Sequence, residues 1–256
     1  MDIYKQLDCL IGNPRGRFAS KENRAQKLVD SWAELKEKMT ALIERGSGVT
    51  WVARCAYGVL LMMETGIRVG NEASAEGYMT QPHPNQKDKK PEFVKTYGLT
   101  TLEVRHAYRR SGKLFLNFVG KKAVENHIST ENKVLYKYYP ELVSGAAKSD
   151  RFLNITHNEI KRFVKRYVGH GFLIKDIRTA RVNLYFIEAL KDRRHRKAVE
   201  VATTKKEIKQ ALAKAVEDTA MKVGHTKGVC KKSYISDNLY ESYHSHIEER
   251  RLRRKQ

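Results

Sequence analysis

The stretch from Val49 to Met63 is the most apolar in the chain, and it sets what the rest must build around. Arg54 interrupts it, and crossing a bilayer takes about 20 apolar residues in a row, so its place is a protein core. Thr50 stands in front of it as an N-cap residue, whose hydroxyl can accept an N–H of the first helical turn that has no partner within the helix. The reading is a helix over Trp51 to Glu64, apolar nearly all round and therefore buried. Ahead of it, Leu28, Trp32, Leu35, Met39 and Leu42 recur at three or four residues and predict a helix from Lys21 to Glu44. Arg45-Gly-Ser-Gly ends that helix and links it to the next. Residues 1 to 20, with Gly12, Pro14 and Gly16 among basic side chains, read as an irregular arm.

Further on the period changes. Residues 80 to 96 are polar, with Pro82, Pro84, Pro91 and a lysine cluster, and read as a surface loop. Leu99 to Ala107 and Leu114 to Val119 read as strands about the turn Arg109-Arg-Ser-Gly, with a third short strand from Ala123 to Ile128. The remainder is helical. Thr156-His-Asn-Glu159 and Thr204-Lys-Lys-Glu207 are capping boxes that each open a helix. The second of these helices stops at Gly224, and another helix is expected from Asp176 to Leu190. The basic tail from Arg250 to Lys255 reads as frayed or lying on a partner. The fold class is α+β, mostly α with a small antiparallel β-sheet.

Fifty Lys and Arg against 29 Asp and Glu give a net charge of +21, more than a solvated surface needs. Phosphate-rich polymers are the usual partner of such a chain, although charge says nothing about chemistry. Cys9, Cys55 and Cys230 are too scattered for a disulfide framework or a zinc site, and the N-terminus lacks the basic-then-apolar pattern of a secretory signal. The expectation is an intracellular, reducing compartment, with no membrane attachment.

Five segments carry chemistry: Thr65-Gly-Ile-Arg-Val-Gly-Asn-Glu72, Phe118-Val-Gly-Lys121, Lys175-Asp-Ile-Arg-Thr179, Val223-Gly-His225 and Lys232-Ser-Tyr234. Each alone is ordinary: an arginine after a turn is usually a surface charge, and a lone tyrosine is usually packing. Their order, Arg, Lys, Arg, His and then Tyr nine residues after the His, resembles the catalytic pentad of the type IB DNA topoisomerases. The flanking words agree: Tyr97-Gly-Leu-Thr-Thr-Leu followed by Leu116-Asn-Phe-Val-Gly-Lys121 is similar to that family's lysine hairpin. The resemblance runs from about residue 50 to 240. It implies the catalytic fold that type IB topoisomerases share with tyrosine recombinases, with residues 1–49 as an arm and helical extension and residues 50–256 as the catalytic domain.

The resemblance also assigns roles that the chemistry explains. In-line attack on a phosphodiester builds charge on its non-bridging oxygens, for which Arg68 and Arg178 supply rigid, permanently charged forks. His225 would donate to one of the same oxygens. Tyr234 would be the nucleophile, forming a 3′-phosphotyrosyl bond, and Lys121 the general acid for the 5′-hydroxyl that leaves. Resealing reverses these steps and needs no ATP; five such groups supply the charge that a metal would otherwise bring, so neither cofactor nor metal is expected. Lys122, Lys231 and Lys232 are candidate DNA contacts. Asn71 and Glu72 are expected to orient the arginine segment, Cys230 to pack, and Tyr136, Tyr138 and Tyr139 to pack rather than stack on bases. His106, His127 and His157 lack metal-ligand spacing and are expected to be structural or on the surface.

The chain departs from the pattern in two places. The family's typical member closes a clamp on duplex DNA with a smaller, strand-rich domain ahead of the catalytic one; here an arm and two helices precede Arg68, so a protein partner is a candidate to replace that domain. Lys122 stands where a close viral relative carries an acidic residue, and either tunes Lys121 or touches phosphate. Double-stranded DNA is the expected partner, bound by a monomer. The alternatives are a tyrosine recombinase and a DNA-binding module without catalysis. The recombinases usually have a histidine where this chain has Lys175, and all five catalytic positions are filled, which argues against decay.

Overall fold

The computed structural model describes residues 19–79 and 92–253. Nearly all of the expected arm, most of the 80–96 loop, the last residues of the basic tail and the side chain of Lys122 lie outside the described residues. The chain begins with α1 (Ala19–Asp30), α2 (Trp32–Arg45), α3 (Trp51–Thr65) and α4 (Glu72–Glu76). Next come β1 (Tyr78–Met79) and β2 (Phe93–Val94), then β3 (Ala107–Arg110), β4 (Lys113–Gly120) and β5 (Val124–Thr130). Helices α5 (Lys133–Val143), α6 (His157–Phe163), α7 (Ile174–Lys191), α8 (Arg193–Val201), α9 (Lys205–Lys222), α10 (Lys227–Ser233) and α11 (Asp237–Arg253) follow. The class is α+β, mostly helical with small antiparallel sheets. Among the described residues no helix is long and apolar enough to cross a membrane.

The chain divides into two compact units: Leu35–Ile174, and the residues up to Glu34 together with Lys175–Gln256. In the first, α3 is the core. Thr50 caps it by accepting from the N–H of Ala53, and its residues from Cys55 to Met63 are all buried. Arg54, the interruption in the apolar run, reaches the carbonyl oxygens of Val49 and Leu153. Gly66, in the left-handed conformation that suits glycine, closes the helix through an N–H to Met62 O at 2.8 Å. Strand β4 is the middle of a three-stranded sheet between β3 and β5, with Leu114, Leu116 and Phe118 turned to the core. Arg109 lies over Tyr136 and Tyr139, and the Tyr139 hydroxyl donates to Ala107 O, so these tyrosines fasten α5 to β3.

In the second unit the apolar faces of α1, α7, α9 and α11 meet around Leu28, Ile177, Phe186, Leu212, Val216, Leu239 and Tyr243. Buried His195 on α8 meets Asp218 on α9 at 2.9 Å. Both expected capping boxes are present, Thr156 with Glu159 and Thr204 with Glu207.

Four expectations need correcting. The single helix over Lys21 to Glu44 is two, parted at Ser31, whose N–H and hydroxyl both donate to Lys27 O at 3.3 and 3.0 Å. The strand expected from Leu99 begins only at Ala107. The N–H groups of Thr101 and Leu102 turn back to Gly98 O, and those of Leu99 and Thr100 go to Arg68 O and Val69 O. The end of the 80–96 loop is strand β2, which pairs with β1 in a second small sheet. Within the basic tail, α11 continues to Arg253, anchored by buried Ile247 and by Arg251 donating to Thr203 O.

Candidate active site

Arg68 follows α3 on an extended segment braced from one side: Leu99 N–H donates to Arg68 O, and the Thr100 N–H and hydroxyl both donate to Val69 O. Gly70 and Gly98 let the two backbones meet. A Cβ on Gly98 would stand 2.5 Å from Gly70 Cα and 2.8 Å from Arg68 O, so no side chain fits there. The same brace continues to β4, where Tyr97 N–H donates to Val119 O at 2.8 Å. Gly120 ends that strand and Lys121 follows it, exposed, at the start of a short 3₁₀ turn. Residues 97–100 thus set both the backbone of Arg68 and the strand end that carries Lys121. Nearby, Glu72 pairs with Arg151 at 3.7 Å and accepts from His157 N–H, which pins the start of α4. His106 accepts from Glu103 N–H through Nδ1 and packs on Tyr97, a structural role.

The other three residues belong to the second unit, and the structure brings them together. Arg178 projects from α7 and is only 4% exposed. Its guanidinium donates to Val223 O at 2.9 Å and to His225 Nε2 at 2.5 Å. A guanidinium can only donate, which assigns the acceptor role to Nε2 and the proton to Nδ1 of a neutral imidazole. The His225 ring lies 4.7 Å from that of Tyr234, and the Arg178 guanidinium carbon lies 5.3 Å from the Tyr234 ring centroid. Gly224 takes a positive φ of 61°, which turns the chain out of α9 and into His225.

Tyr234 sits just past α10, its N–H bonded to Cys230 O at 3.1 Å. Thr226 caps the front of that helix, while Lys231 and Lys232 in its last turn oppose the helix dipole. Both lysines are exposed, and Lys231 lies over the Tyr240 ring. Cys230 is fully buried and its thiol is pushed up to about 12 by desolvation, as a packing residue's would be. Chemically, this is a phenol beside a buried, fixed cation and an imidazole, an arrangement that can receive an oxyanion next to a hydroxyl.

A family model for the catalytic core of eukaryotic DNA topoisomerase I matches residues 17–256. This chain belongs to that family. Among its relatives is the DNA topoisomerase 1B of Acanthamoeba polyphaga mimivirus, 28% identical over 166 residues, 60% of this chain and 48% of that protein. The DNA topoisomerase 1 of rabbit fibroma virus (strain Kasza) is 31% identical over 147 residues, 57% of this chain and 45% of the relative. The DNA topoisomerase 1B of vaccinia virus (strain Copenhagen) is 26% identical over 148 residues, with the same coverage. The chain spans about half the length of the curated relatives it matches.

The chain holds two further residues beside Tyr234 that the sequence reading missed. Asn183, wholly buried on α7, donates to Thr179 O and to Tyr234 O and accepts from Ser236 N–H, so it clamps the chain on both sides of residue 235. Its one sequence signal is an amide amid the apolar residues Val182, Phe186 and Ile187. Lys21 donates to Ser233 O, and nothing local to residue 21 points to that partner.

Proposed function

We propose that this chain is the catalytic part of a type IB DNA topoisomerase, which relaxes supercoiled duplex DNA through transient breaks in one strand. The observation that carries this reading is the cluster of Arg178, His225 and Tyr234, drawn from α7, the turn after α9 and the end of α10. Tyr234 attacks the scissile phosphate and forms a 3′-phosphotyrosyl bond. Arg178 and Arg68 hold the non-bridging oxygens. His225 donates to one of them once Nε2 carries a proton, by a change of tautomer or by protonation, and its bond from Arg178 is released. Lys121 gives a proton to the leaving 5′ oxygen, and the reverse sequence reseals the strand. Lys122, Lys231 and Lys232 contact the DNA backbone, and affinity falls steeply with salt because counterions are released on binding. The enzyme works inside the cell as a monomer on DNA, without ATP or metal.

The test is plasmid relaxation without ATP and with chelator, comparing wild type with Tyr234→Phe and quenching with detergent. Relaxation of positive and negative supercoils by wild type alone, with a covalent protein–DNA adduct, is the expected result. An adduct without relaxation points to strand transfer or to a missing partner; neither adduct nor relaxation overturns the reading.

A further inference from the structure

Lys21 breaks a local rule. It stands in the first turn of α1, where the positive end of the helix dipole disfavours a cation. It is half-buried, and that burial holds its ammonium below the usual lysine range. Lys175 pushes the same way, while Tyr234, Glu22 and Asp176 oppose. Local rules of this kind are broken mostly where function compensates. Here the compensation is visible: Nζ donates to Ser233 O and lies 5.3 Å from the centroid of the Tyr234 ring.

The placement is fixed by the residues beside it. Glu22, buried, accepts from the N–H of Asp237 at 3.3 Å, and Arg24 grips the buried carboxylate of Asp176 at 2.7 Å. Three side chains within four positions of α1 therefore fasten it before Tyr234, after Tyr234 and at the start of α7. Lys21 from α1, Arg178 from α7 and His225 from the turn after α9 all face Tyr234. Lys231 and Lys232 lie on α10, the helix that ends at Tyr234.

Resting on the reading of Tyr234 as nucleophile, we propose that Lys21 is a positioning residue for that tyrosine: its ammonium fixes the backbone at Ser233 and favours the phenolate as it forms. The phenolic proton leaves to solvent and the phenolate oxygen's electron pair makes the bond to phosphorus. The bond from phosphorus to the 5′ oxygen breaks, and that oxygen takes its proton from Lys121. A cation within about 6 Å of an aromatic ring is attracted to its face, and the attraction rises once the ring oxygen carries charge.

The test uses the full chain with tyrosine labelled at Cζ, the Tyr234 resonance being assigned by its loss in Tyr234→Phe. Lys21→Met should raise the titration midpoint of Tyr234 by about one pH unit, and Lys21→Arg should return it towards wild type. On a duplex that traps the covalent adduct, Lys21→Met should cleave about tenfold more slowly near neutral pH, with the deficit closing as pH rises. A wild-type adduct together with an unmoved Tyr234 titration, or a Lys21→Met rate with the wild-type pH profile, overturns this role alone. No adduct from the wild type overturns the nucleophile reading and this role with it.

Discussion

The guanidinium of Arg178 donates to Nε2 of His225 across 2.5 Å, although the two are 47 residues apart in the chain. The bond occupies the nitrogen that His225 would offer to phosphate. An amide at position 225 can accept from Arg178 through its oxygen and still donate through its nitrogen. His225→Ala should therefore lower the single-turnover cleavage rate by about 10²–10³-fold, and His225→Gln should recover part of that loss. Equal rates for the two variants would remove the donor role. Arg178→Lys keeps the charge but loses the fork that serves both Val223 and His225, and should fall by a similar factor.

Asn183 holds Tyr234 O and Ser236 N–H with one amide, through its nitrogen at 2.8 Å and its oxygen at 2.9 Å. Asn183→Ala removes the amide that bonds both groups, at a cost of about 1–3 kcal/mol. A lower urea midpoint is expected, with slower adduct formation at saturating DNA. Asn183→Asp is the sharper variant, because a carboxylate still accepts from Ser236 N–H but opposes the carbonyl of Tyr234. If Asn183→Asp matched wild type in both assays, the clamp would have no energetic weight.

At Gly98, alanine would push against backbone rather than a movable side chain. Gly98→Ala is expected to lose about 1–3 kcal/mol of stability. Displacing Arg68 by even about 1 Å would slow cleavage some 10²-fold. Cleavage that stays at the wild-type rate in a destabilised variant would separate the brace from the chemistry.

Lys121→Ala should cleave ordinary DNA about 10²–10⁴-fold more slowly and be largely rescued when sulfur replaces the leaving 5′ oxygen, which then needs no proton. Without rescue, Lys121 is not the acid.

Stability should decline on the alkaline side. Burial pushes the thiols of Cys55 and Cys230 up to about 12, and the Tyr57 hydroxyl, donating to Leu135 O at 2.7 Å, well above its ordinary range. In each case the folded-state value lies above the unfolded one; the thiols' stabilisation is complete below about pH 8.5 and is lost as pH rises towards 12, while that of Tyr57 begins to fall only above about pH 10. Each thiol contributes a slope of about 1.4 kcal/mol per pH unit across its window. Urea midpoints at pH 8, 9 and 10 measure it, and Cys230→Ala should flatten the slope. A midpoint that does not move between pH 8 and 10 would contradict the burial of the two thiols.

What the sequence by itself determined was local. The Thr50 cap, the two Thr-to-Glu capping boxes and the alternation of Leu114, Leu116 and Phe118 each involve partners within about four residues, so their physics is written in the adjacent letters. The order of Arg68, Lys121, Arg178, His225 and Tyr234 was legible for the same reason: each sits in a short word of its own. Only the tertiary structure decided the rest. Residues 99–102 have the apolar look of a strand, yet their N–H groups find nearer acceptors in Arg68, Val69 and Gly98, and a turn wins. Lys21 and Asn183 meet the chain beside Tyr234 across 212 and 51 residues, and the contact depends on how α1 and α7 pack, which periodicity alone does not encode.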